Sequence, residues 1–225
     1  MTIKRAPEAL RRGHVFVVIA ALLIAVIAVI YTPGASGGFI FDDRAAIVEN
    51  RRVHIHDLTR DSLARAARSF EPGNGLQARP LSMASFGVNH ALHELRPFGY
   101  KTTGIAIHAL NAVLILMLAH GLIGAAWRER DPRWAAAAVA IAWALHPLQV
   151  STVLYVVQRM ESLSLLFVLT VVTVLALPIN ILAGLFGMNV GGIPLAEHKH
   201  GFWLVVAIVV TFTAIAAWLA FRKKR

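Results

Sequence analysis

The sequence predicts an all-α, multi-pass membrane fold of four or five spans, with one extracytoplasmic loop region containing short helices. Three features predict it. First, 57% of the 225 residues are apolar and 15% are charged, whereas a soluble domain carries about 25% charged residues. Second, the charges gather in short blocks, and the apolar stretches between them are long enough to cross a bilayer. Third, the net charge of +10 sits at the two ends and in the loops. That placement reads as membrane topology and contact with anionic headgroups, so the lipid bilayer is the expected partner and nucleic acid is not. The chain has no cysteine, which excludes disulfides, thiolate metal sites and cysteine nucleophiles.

Residues 1–14 are basic, with Lys4, Arg5, Arg11 and Arg12 against Glu8. Val15 to Tyr31 is an unbroken apolar run. It reads as an uncleaved first span with a cytoplasmic N-terminus. A signal peptide is the alternative, but the run is slightly long and Ala35-Ser36-Gly37 is a poor cleavage site. Residues 32–98 are polar, with turns at Pro33-Gly34, Gly37-Gly38 and Pro72-Gly73-Asn74-Gly75. The stretch is long for a connection without a function. Asp57 to Arg68 and Leu81 to Leu95 are expected as short helices, the second along the membrane surface.

A second span is expected from about Thr102 to Ala125, with His108 and Asn111 inside it. Polar groups at membrane depth face protein or water. These two either make interhelical hydrogen bonds or act directly in function. The charged turn Arg128–Arg133 is expected in the cytoplasm, with Trp127 and Trp134 as interfacial anchors. Ala135 to Val157 is interrupted by His146-Pro147 and Gln149. It is either one kinked span or a half-span that re-enters, because proline breaks the helical ladder. Leu163 to Gly187, interrupted by Pro178 and Asn180, and Phe202 to Phe221 are the last spans. Four positive residues, Arg222 to Arg225, mark a cytoplasmic end.

Between those last two spans lies Gly187-Met188-Asn189. A tripeptide at a helix end, between two spans and followed by a basic tail, resembles the pore hairpin of the CorA family, most closely its zinc-transporting branch. The resemblance covers about Leu169 to Arg225. It implies a homo-oligomer of five copies, with the first helix of the hairpin lining a pore and the Gly-Met-Asn turn at its mouth. Gly187 permits a tight turn, and Asn189 supplies a ring of amide oxygens that bind a hydrated divalent ion without trapping it. Thr170, Thr173 and Asn180 would be pore-lining. Magnesium, zinc and cobalt stay open as the ion. Glu197, His198 and His200 in the next loop read as solvated, with a weak zinc site as the alternative.

Early in the chain, Phe39-Ile40-Phe41-Asp42-Asp43 follows the first span, with Asn50 after it and Arg79-Pro80-Leu81 at the far end of the same loop. Paired acids there can hold a divalent cation and act as a base toward a hydroxyl acceptor. With Arg96-Pro97-Phe98-Gly99-Tyr100, His108-Ala109-Leu110-Asn111-Ala112, His146-Pro147 and Gln158-Arg159-Met160-Glu161, these resemble the GT-C glycosyltransferases. The branch is the tetratricopeptide-linked one that includes protein O-mannosyltransferases. The resemblance covers about residues 15–168. It implies Asp42 or Asp43 as the catalytic carboxylate, and Arg79 or Arg159 as contact to the phosphate of a polyprenyl-phosphate sugar, since arginine grips two phosphate oxygens at once.

The chain therefore reads as two parts, residues 1–168 and 169–225, each truncated relative to the family it resembles. The expected function is divalent metal-ion transport through the C-terminal hairpin, in a bacterial inner membrane, with the cation as cargo rather than a tightly bound cofactor. The alternatives are glycosyl transfer, which would make the chain an enzyme, and an inactive fusion. A conflict of orientation accompanies this. If Ala135–Val157 crosses the membrane, Asn189 and the basic tail fall on the sides opposite to those the channel resemblance requires. If it does not cross, both sit correctly.

Overall fold

The computed structural model describes residues 5–70, 79–127 and 131–186, with the isolated positions 207 and 211. Side chains are described between residues 14 and 173 of those ranges. Regular structure there is helical throughout. The helices are α1 (Arg5–Tyr31), α2 (Arg60–Ala67), α3 (Pro80–His93), α4 (Pro97–Ala126), α5 (Arg133–Ala144), α6 (Gln149–Leu154) and α7 (Arg159–Phe186). Three stretches are long and apolar enough to cross a membrane: His14–Ser36, Pro97–Ala126 and Val156–Thr173. The chain is a multi-span membrane protein, and the regular structure of its described residues is helical. Gly187-Met188-Asn189, the loop holding Glu197, His198 and His200, and nearly all of the expected last span lie outside the described residues, as does the side chain of Asn180.

Two cores build the described part. One lies at membrane depth, where Leu23, Ile27 and Tyr31 of α1 meet Ala112 and Leu116 of α4 and Ala136, Ala140 and Ala144 of α5. Alanine on α5 lets backbones approach closely, which is how helices pack where lipid is as apolar as the side chains. The other core sits beyond the first span. Ile47, Val53, Met83, Phe86, Tyr100, Val156 and Met160 close together there. Thr59 caps α2 by accepting the Ser62 amide hydrogen, which satisfies one of the free donors at a helix start.

The polar residues of α4 act as ties. His108 Nε2 lies 3.0 Å from the Ala144 carbonyl oxygen and must donate to it. Tyr31 donates its hydroxyl to the same oxygen at 2.8 Å. Asn111 donates to the Ser162 carbonyl oxygen at 3.0 Å. Of the two roles open to His108 and Asn111, the interhelical hydrogen bond is the one observed.

The contacts also fix how each helix runs. The rings of Phe16 and His120 lie 5.0 Å apart, so the start of α1 lies beside the end of α4. Pro132 packs on Gly124, so α5 starts at that same end. The Ala144 carbonyl has reached Tyr31 and His108, Val153 has reached Gly104, and Val157 donates its amide to Asp43 at 2.8 Å. Gly104 is needed there, because a Cβ would stand 2.7 Å from the Val153 carbonyl oxygen. The segment of α5 and α6, broken at Leu145–Leu148, thus leads from the Trp127 end of the bundle to the Asp43 end. Alone, the 12 residues of α5 span about 18 Å, short of a hydrocarbon core of about 30 Å.

From there α7 runs back parallel to α4. Arg159 donates to the Tyr100 carbonyl oxygen at 2.6 Å, and Ser162 meets Asn111 farther along. Its 28 residues extend about 42 Å, which brings Phe186 to the Trp127 end. A single cysteine replacing Phe41 in intact cells is expected to react with a membrane-impermeant maleimide. One replacing Asp131 is expected to react only after permeabilisation, and equal labelling of both would contradict this arrangement.

Candidate functional site

Beyond the end of α1 the chain folds into a cleft of about 620 Å³. Asp42, Asn50, Ser69, Arg79, Gln158 and Glu161 supply its polar lining; Ala45, Ala46, Phe70, Val157 and Met160 supply its apolar wall. Two backbone outliers stand at its edges. Phe41 has φ 44° and Arg79 has φ 34°, in the left-handed region that costs a side-chain-bearing residue about 1–3 kcal/mol. Phe41 precedes Asp42, and Arg79 precedes Pro80 at the start of α3. Both strained positions therefore set where a charged group enters the cleft.

The two acids have separate fates. Asp43 is wholly buried. Its Oδ2 accepts the Ile40 amide hydrogen at 3.1 Å and its Oδ1 accepts that of Val157 at 2.8 Å. Asp43 thereby joins the loop after α1 to the entry of α7, and both oxygens face protein amides. Burial pushes its carboxyl above the ordinary value of 3.8, while the amides of Ile40, Val157 and Val156, and then the Lys101 charge, pull it partly back. Asp42 is exposed and lines the cleft. Its amide donates to the Tyr155 hydroxyl at 3.0 Å, and the Phe41 and Tyr155 rings meet edge to face at 6.1 Å.

The two arginines divide in the same way. Arg159 is 2% exposed. It donates to the Tyr100 carbonyl and, at 3.2 Å, to Ser85 Oγ, and its guanidinium lies 4.8 Å from the centroid of the Phe86 ring. Carbonyl, hydroxyl and ring face together hold the charge. Arg79 lines the cleft. It reaches Met160 Sδ at 3.0 Å and Glu161 at 3.6 Å, and with both side chains at least half exposed the ion pair is weak. The Arg79 guanidinium is therefore available to an incoming anion.

Of the residues expected on the other site, Thr170 is exposed and its hydroxyl donates to the Leu166 carbonyl at 2.7 Å. Thr173 is buried, with its hydroxyl unpaired among the described residues. Gly187, Met188 and Asn189 lie outside the described residues. Among the described residues no three His, Asp or Glu side chains are grouped to hold a metal ion. Tyr155, Ser69 and Phe70 join the cleft or its rim without a motif to announce them.

Comparison with known proteins finds similarity to two kinds of protein. The family described as CorA-like Mg2+ transporter protein matches residues 155–224. The divalent cation transporter CmaX of Pseudomonas aeruginosa is 40% identical over 60 residues, which is 27% of this chain and 18% of that protein. Protein O-mannosyl-transferase TMTC3 of Mus musculus is 30% identical over 152 residues, and the Homo sapiens protein of that name 28%. Those alignments cover 66% of this chain. The chain spans 16% of the length of these mannosyl-transferases. No solved structure matches.

Asp43 carries a testable pH signature. Its folded value is raised, so between the ordinary carboxylate value and the raised one the native state binds more proton than the unfolded chain. Its contribution to stability is therefore greatest at acid pH and falls as pH rises from the ordinary carboxylate value through the raised one. Thermal unfolding of the detergent-solubilised protein should show this fall, and Asp43→Asn should remove it while costing about 2 kcal/mol through the amide left without an acceptor.

Proposed function

We propose that the outer cleft takes a phosphate-linked sugar of the polyprenyl type and passes the sugar to a hydroxyl acceptor. The observation that carries this is the meeting of Asp42 and Arg79 in one cleft, while Asp43 and Arg159 are turned into the protein. Asp42 is the carboxylate that can take the acceptor proton. As the hydroxyl oxygen bonds to the sugar, the bond from sugar to phosphate breaks, and the phosphate leaves with its electron pair toward Arg79. The protein O-mannosyl-transferases similar to this chain by sequence support a mannosyl group as the sugar and a protein hydroxyl as the acceptor. In Asp42→Asn, turnover of a polyprenyl-phosphate sugar by the protein in liposomes is expected to fall about 100-fold or more, with the melting temperature unchanged. Turnover equal to that of the parent chain would remove Asp42 from this role.

A second reading is favoured by the family match over residues 155–224 and by the similarity to CmaX. In it, residues 169–225 pass divalent metal ions through a homo-oligomeric pore, with Thr170, Thr173 and Asn180 along the wall and Gly187, Met188 and Asn189 at the mouth. The run of α7 weighs against it. That helix carries the chain toward the Trp127 end, where the positive-inside rule puts the cytoplasm, whereas the resemblance requires an outward mouth. Magnesium or zinc uptake into proteoliposomes, lost in Asn189→Ala, is the expected outcome of this reading; unchanged uptake in that variant would end it.

A further inference from the structure

The cleft holds one polar atom that the fold leaves unanswered. Ser69 is part of its lining, and Ser69 Oγ is shut off from bulk water with no hydrogen-bond partner. Serines beside helices commonly turn the hydroxyl onto a carbonyl three or four residues back. Ser36, Ser85 and Ser151 do so here, to Pro33, Ser82 and Leu148. Ser69 follows α2 and does not, although its backbone is engaged on both sides. Its amide donates to the Ala66 carbonyl at 3.0 Å, and its carbonyl accepts a hydrogen of Asn50 Nδ2 at 3.3 Å. Asn50 is held in turn, because its Oδ1 accepts the Arg52 amide hydrogen at 3.2 Å. The backbone of Ser69 is thus fixed and only its hydroxyl is uncommitted. A buried hydroxyl without a partner is costly, so in a native fold it marks a place where water or a ligand completes the bonding. Asn89, Tyr100, Asn111, Arg159 and Thr173 also carry an unpaired buried atom, but none of them lines the cleft.

The surroundings of Ser69 select the ligand. Asn50 keeps a second Nδ2 hydrogen beyond the one given to Ser69. Phe70, the next residue, adds an aromatic wall backed by the outer core. These three side chains carry no charge. The ion pair of the cleft, Arg79 with Glu161, stands instead at the starts of α3 and α7. Neutral hydrogen-bonding groups beside an aromatic ring suit a pyranose, which has hydroxyls at its rim and apolar C–H bonds on its faces, whereas a guanidinium suits phosphate. We infer that the corner made by Asn50, Ser69 and Phe70 is the subsite for the sugar of the donor, and that Ser69 Oγ bonds one sugar hydroxyl and thereby sets which sugar is accepted. This rests on the reading of the cleft as a site for a phosphate-linked sugar. With the backbone held, rotation about the Cα–Cβ bond is the one movement the hydroxyl needs to meet the ligand. A sugar lacking that hydroxyl leaves Ser69 unpaired and is rejected.

Two synthetic diesters of equal charge test this, mannosyl farnesyl phosphate and methyl farnesyl phosphate, the second with a methyl group in place of the sugar. Their affinities for the detergent-solubilised protein are measured by titration calorimetry. Ser69→Ala is expected to weaken the mannosyl diester about tenfold and to leave the methyl diester unchanged, which also shows that the variant is folded. Arg79→Gln is expected to weaken both. Among mannosyl diesters that each lack one sugar hydroxyl, one is expected to bind the parent and Ser69→Ala equally, and it identifies the hydroxyl contacted. If Ser69→Ala weakened neither diester, the serine would serve a water molecule only, and the inference would be overturned. Equal weakening of both would overturn it too, by making Ser69 a support of the whole cleft. So would a loss confined to the binding of a serine- or threonine-bearing peptide, since the corner would then belong to the acceptor. In these three cases a loss of both diesters in Arg79→Gln leaves the donor reading standing. Failure of the parent protein to bind either diester would end that reading and this inference together.

Discussion

The carbonyl oxygen of Ala144 is the point on which the membrane part depends. α5 stops there because Pro147 cannot continue the helix, and the last carbonyls of a helix need partners. In hydrocarbon no water supplies them. Tyr31 from α1 and His108 from α4 both donate to that one oxygen. The break is thus tolerated only where two other helices already stand, and the same bonds set the depth of α5 against both. Stacking of the His108 and Trp143 rings, with centroids 4.9 Å apart, fixes the imidazole in place.

The outer layer uses the same economy of charge. One carboxylate and one guanidinium, Asp43 and Arg159, are taken out of solvent near each other and answered by backbone groups rather than by one another. Asp43 accepts two amides; Arg159 donates to a carbonyl and lies over an aromatic ring. Their neighbours in sequence, Asp42 on one side and Gln158, Met160 and Glu161 on the other, are left to shape the cleft. In each case neighbouring residues divide into one that holds the scaffold and others that line the cleft.

Much of this fold was readable in the residues. The runs of apolar sequence place α1, α4 and α7, and the stretches Asp57 to Arg68 and Leu81 to Leu95 place α2 and α3, with ends that differ by a few positions. α4 starts earlier than hydropathy suggests, because Lys101 is buried against the loop at Gly37 rather than marking the span's edge. The His146-Pro147 interruption was visible as a break, but not its consequence. Whether the segment crosses depends on which carbonyl meets which donor across more than a hundred residues. The choice between Asp42 and Asp43 was hidden for the same reason. The amide that buries Asp43 belongs to Val157, 114 positions away, and nothing local separates two consecutive aspartates. Arg79 and Arg159 looked equivalent until burial divided them.

The composition of α5 bears on how such a protein is made. Its sequence, Arg-Trp-Ala-Ala-Ala-Ala-Val-Ala-Ile-Ala-Trp-Ala, is short, and its small side chains draw little on lipid to pull it out of water. An isolated α5 leaving the translocation machinery would have neither the length to settle across the bilayer nor a donor for its terminal oxygen. α1 and α4, each long enough on its own, come earlier in the chain and wait beside the point of entry. For these three helices the order of synthesis is therefore also the order in which each can be accommodated, with α5, the weakest of them, following α1 and α4 into a slot they have already shaped.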